Sequence, residues 1–100
     1  MQIRITARHG RLSEATQEKI RAKLSKLTRI FDRITTLDAT FDLEDEESPS
    51  VDVRASLERH DDIVASFQAS DMMGALDHVV QKLEQQLRRM KEKTKDRHPR

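Results

Sequence analysis

The sequence predicts an α+β domain with the order β-α-β-β-β-α, a four-stranded sheet carrying two helices on one face. Three observations lead there. Apolar and polar residues alternate in four separate stretches, which is the period of a half-buried strand. In two longer stretches the apolar residues recur at steps of three and four, the period of an amphipathic helix. Every stretch has a single apolar side, so the economical packing buries all of them in one layer between helices and sheet. The 100 residues suit one such domain over residues 1–95, followed by a polar tail at 96–100.

The first strand is read from Ile3, Ile5 and Ala7 alternating with Gln2, Arg4, Thr6 and Arg8. A helix follows from about Ser13 to Phe31, with Ile20, Leu24, Leu27 and Phe31 as its apolar stripe and Ser13 as its N-cap. Alternation returns at Leu37, Ala39, Phe41 and Leu43, then at Val51, Val53, Ala55 and Leu57, then at Ile63, Ala65, Phe67 and Ala69. The turn-prone Glu46–Ser50 and His60–Asp62 separate these three strands, which read as an antiparallel meander. Ser70 or Asp71 starts a long second helix striped by Leu76, Val80, Leu83, Leu87 and Met90. The first helix then serves as a crossover between parallel strands.

Composition narrows the function classes. Cysteine is absent, which removes disulfides, thiol nucleophiles and cysteine-based zinc sites. The N-terminal segment alternates instead of forming a signal-peptide block, and no apolar run is long enough to span a bilayer, so a cytoplasmic, membrane-independent protein is expected. The net charge of +1 conceals segregation. Residues 1–37 carry nine Lys/Arg against three Asp/Glu, residues 38–62 two against ten, and residues 63–100 eight against five.

Helical phase puts Lys19, Lys23 and Lys26 beside the first stripe, with Arg33 continuing the row if the helix extends that far. On the second helix Lys82, Gln86, Arg89 and Lys93 share one exposed side, and Arg88, Lys91 and Lys95 flank the stripe from the other. The expectation is two basic rows bordering a groove, suited to a polyanion with a regular backbone. Charged rows on amphipathic helices are ordinarily just solvated faces. What favours a polyanion is that acids crowd the strand region and are scarce on these rows. Phe31, Phe41 and Phe67 all fall in phase with the buried set, leaving no ring on the open sheet face for base stacking. Backbone recognition of structured RNA fits better. His9, His60, His78 and His98 share no ligand spacing, and Glu44–Glu47 lacks the pattern of a calcium loop, so no metal, cofactor or small-molecule substrate is expected. No catalytic constellation is visible, and an enzyme is not expected.

Ala22-Lys23-Leu24-Ser25-Lys26-Leu27 and Phe31-Asp32-Arg33-Ile34 resemble the first helix of the ribosome hibernation promoting factor family, which includes protein Y, the ribosome-associated translation inhibitor. Asp71-Met72, Ala75-Leu76-Asp77, Lys82-Leu83, Gln86-Leu87, Lys91 and Lys93 resemble its second helix. The resemblance covers nearly the whole chain. It implies binding to the rRNA of the small ribosomal subunit in the tRNA and mRNA channel, and inhibition of translation in stationary phase or stress. It implies rRNA contacts at Lys23, Lys26, Arg33, Lys82, Gln86, Arg89, Lys91 and Lys93. The likeness is to the short form, so pairing of ribosomes would require a separate pairing factor. The chain departs from the family at Met73, at Thr16 and in the acidic stretch Asp42–Glu47.

Two other readings use the same residues. An α-β-β-β-α order is also the plan of the double-stranded-RNA-binding domain, so a general structured-RNA binder is one alternative. A protein-interaction module docking through the acidic edge is the other.

Overall fold

The computed structural model describes residues 1–96, with side chains through Glu92. The elements are β1 (Gln2–Arg8), α1 (Glu14–Ile30), β2 (Ile34–Asp42), β3 (Ser50–Leu57), β4 (Ile63–Gln68) and α2 (Met72–Asp96). The sheet order is β1-β2-β3-β4, with β1 parallel to β2 and the other neighbours antiparallel. That is the predicted α+β arrangement, with α1 as the crossover.

Both helix starts are fixed by side-chain caps. The Thr16 N–H donates to Ser13 Oγ at 3.1 Å, and the Gly74 N–H donates to Asp71 Oδ2 at 3.1 Å. Each satisfies an N–H that the first turn leaves without a partner. Of the two residues expected to open α2, Asp71 is the cap. Helix α2 runs to Asp96, because Leu87–Lys95 contains good helix formers and no breaker. Residues 97–100 of the expected tail lie outside the described residues.

One core holds the layers together. From the sheet it takes Leu37, Ala39, Phe41, Val51, Val53, Ala55 and Ala65; from α1, Ile20, Leu24 and Leu27; from α2, Leu76, Val79, Leu83 and Leu87. Helix α2 lies over β3 and β4, and α1 lies beside it on the β1 side. Strand β2 begins three residues before the alternation suggested. A bulge between Ile34 and Thr36 turns both Ile34 and Leu37 inward, which breaks the period of two at that point. Gly10 lies close under Leu43: a Cβ there would come within 2.8 Å of Leu43 Cδ1 and 3.2 Å of its Cβ, so a larger residue would have to displace that side chain.

Candidate nucleic-acid interface

The lysine row of α1 faces α2. Lys23 Nζ donates to Asp77 Oδ1 at 2.6 Å, and Lys19 and Lys26 share its flank by helical phase. The row of α2 faces the other way. Lys82 Nζ lies 5.1 Å from the centroid of the Phe67 ring and donates to the Ser66 carbonyl at 3.3 Å, both on β4. Gln86 and Arg89, one and two turns further on, follow Lys82 along that outer flank.

The two predicted rows therefore do not border one groove. Packing of α2 on β3 and β4 aims its Lys82 row outward and gives the inter-helix groove to Asp77, Glu84, Arg88 and Lys91. Arg88 is itself held by Glu84, at 3.2 Å from Nη2 and 3.3 Å from Nε. Lys23, expected as a free phosphate contact, is paired with Asp77. Arg33 is not on α1, which stops at Ile30 with the Phe31 N–H bonded to the Leu27 carbonyl. It lies in the following turn, where its carbonyl accepts from the Glu58 N–H at 3.0 Å. The Lys93 side chain is outside the described residues.

Among the described residues, Lys19, Lys26, Arg29, Arg33, Arg89 and Lys91 have no ion pair. Arg33 and Lys91, far apart in sequence, meet at a cavity that Arg29 also lines. By helical phase Arg29 lies opposite the buried stripe, away from the lysine row, so the sequence does not group it with these cations. Only the end of α1 against α2 brings it to the others.

On the open sheet face, two of the three strand arginines are paired with carboxylates, and Arg8 has no ion pair among the described residues. Arg4 pairs with Asp38 at 3.8 Å and Arg54 with Asp62 at 3.4 Å. No phenylalanine lies on that face. Phe31 and Phe41 are buried, and half-buried Phe67 stacks on the His78 ring with centroids 4.2 Å apart. The acidic run Glu44–Glu47 is exposed at the far end of β2 from Arg33.

The β1–β2 end also joins groups that sequence spacing could not relate. His9 Nδ1 is 2.9 Å from Asp42 Oδ1, and the Glu44 N–H donates to the same oxygen at 3.0 Å. Together they hold the Asp42 carboxyl below its ordinary pKa, the His9 hydrogen bond contributing most. Potential ligand atoms of His9, Asp42 and Glu44 lie within 4.8 Å of one another, so the three could converge on a cation. They come together because parallel pairing puts Arg8 beside Asp42, which no residue interval in the sequence reveals.

This chain is 34% identical over 96 residues to the ribosome hibernation promoting factor of Escherichia coli (strain K12), covering 95% of this chain and 98% of that protein. It is 31% identical over 98 residues to the ribosome hibernation promoting factor of Azotobacter vinelandii, covering 97% and 89%. A ribosomal subunit interface protein from Coxiella burnetii superposes with a TM-score of 0.82 at 27% identity, covering 92% of this chain and 99% of that one. The N-terminal domain of Thermus thermophilus protein Y shares the fold, with a TM-score of 0.81 at 21% identity and coverage of 90% and 99%. The family described as sigma 54 modulation protein / S30EA ribosomal protein matches residues 3–95, and the chain belongs to that family.

Proposed function

We propose that this protein is a bacterial ribosome hibernation factor acting in the cytoplasm. It binds rRNA of the small subunit in the tRNA and mRNA channel and inhibits translation during stress or stationary phase. The relatives named for ribosome hibernation support this reading. The observation that carries it is a set of cations without ion pairs on the helical side: among the described residues Lys26, Arg33, Arg89 and Lys91 lie on or beside the helical layer with no ion pair, while the acidic run Glu44–Glu47 sits at the far end of β2. Free cations release phosphate counterions on binding, whereas paired ones must first give up their partners. With about six phosphate contacts, raising salt from roughly 50 to 200 mM should weaken binding about a thousandfold.

Co-sedimentation with purified small subunits tests the reading. Lys82→Glu with Arg89→Glu should reduce binding at least about tenfold, with far-UV circular dichroism unchanged. Unaltered binding would remove the outer flank of α2 from the interface. A plain RNA duplex should compete poorly; equal competition would point to a general structured-RNA binder.

A further inference from the structure

At the end where α1 stops, the α1–β2 turn, the β3–β4 hairpin and the later part of α2 line a half-open cavity of about 300 Å³. The hydrogen bond from the Glu58 N–H to the Arg33 carbonyl ties the hairpin to the turn. Arg29, Arg33 and Lys91 line the cavity from three segments, with Asp32 as the one carboxylate on the wall. None of the three cations has an ion pair among the described residues. Cations drawn together around a partly apolar recess repel one another, and an anion in their midst relieves that cost. Two guanidinium forks and one ammonium suit phosphate oxygens in particular.

The same cavity holds a stacking surface that the phenylalanines do not provide. His60 is exposed, and its ring meets buried Phe31 at 71° with centroids 5.8 Å apart. Phe31 props the imidazole, and His60 remains available to a planar partner. Histidine is among the side chains on which unstacked bases rest. The volume lies at the small end of ligand pockets, the scale of one nucleotide unit.

We propose that this cavity receives a single unstacked nucleotide of RNA, its phosphate between Arg29, Arg33 and Lys91 and its base against His60. The inference rests on the RNA-binding reading above and adds to it a preference for a bulged or single-stranded position.

Titrating the full chain with 5′-AMP or 5′-GMP should shift the NMR signals of His60 and of the Arg29 and Arg33 side chains. Binding should be about fivefold or more tighter than that of inorganic phosphate, because a stacked base adds to the anion. His60→Ala should remove that margin and keep phosphate binding; Arg33→Glu should remove both, with Arg29→Glu as a second variant should the first fail to fold. Equal affinity for phosphate and mononucleotide, or no response at these residues, overturns the nucleotide pocket. Sedimentation of the same proteins with small subunits separates the two ideas. Wild type that sediments yet ignores the mononucleotide sinks the pocket alone. Wild type that takes the mononucleotide but does not sediment sinks the RNA source and the proposed function together.

Discussion

Lys23 of α1 and Asp77 of α2 form an ion pair of 2.6 Å that bridges the two helices, with side chains 31% and 58% exposed. A pair so open to solvent contributes little to stability, under about 1 kcal/mol. Its larger effect is to occupy a lysine that would otherwise be free to meet phosphate. Asp77→Asn should leave the thermal midpoint almost unchanged while strengthening ribosome binding. The slope of log affinity against log salt should steepen by about one as Lys23 gains a phosphate. An unchanged slope would show that Lys23 does not contact RNA even when released.

The His9–Asp42 contact predicts a pH dependence. A carboxyl whose folded pKa is below its unfolded value adds stability above the unfolded value, and loses it as pH falls through the folded one. Asp42 is such a group, held down chiefly by His9. Its contribution should therefore vanish between the ordinary carboxylate value and the lower folded one. In a carbon-detected NMR titration, His9→Ala should move the Asp42 midpoint upward, and an unmoved midpoint would show that the Glu44 N–H alone sets it.

Leu83 is fully buried in the core, whereas Val64 is 43% exposed. Leu83→Ala should cost about 2–5 kcal/mol, through lost transfer energy and the cavity it leaves. Val64→Ala should stay within about 0.5 kcal/mol. Urea unfolding of the two variants side by side checks the contrast, and similar costs would mean that the open face is covered in solution.

Ser13 caps α1 through the Thr16 N–H, and its hydroxyl also bonds Thr16 Oγ1 at 2.9 Å. Ser13→Ala should destabilise the protein by about 1 kcal/mol, and Ser13→Asp should restore most of it. Thermal melts suffice as the measurement. A loss that aspartate fails to recover would point to the Thr16 hydroxyl contact instead of the cap.

Much of the fold can be read along the chain because its physical cause is local. A strand of alternating residues such as Val51-Asp52-Val53-Arg54-Ala55 has only one way to hide its apolar side, and the stripe Leu76, Val80, Leu83, Leu87 has only one face to bury. Ser13 declared its helix start in the same way. Ile34 is not legible in this way because its bulge depends on pairing with β3.

The sequence by itself determined the element order, most of the core and the exclusion of cysteine chemistry, since side-chain period and composition need no distant partner; Ile34, Ala75 and Val79 entered the core only with the fold. Tertiary structure alone decided which flank of each helix meets its neighbour. It turned Lys23 onto Asp77, aimed Lys82 at β4, and brought Arg29, Arg33, Lys91 and His60 around one cavity. Phase along a helix gives the angle between residues but not the direction in which the helix is rolled. That roll is set by packing against the sheet, which the linear pattern does not contain.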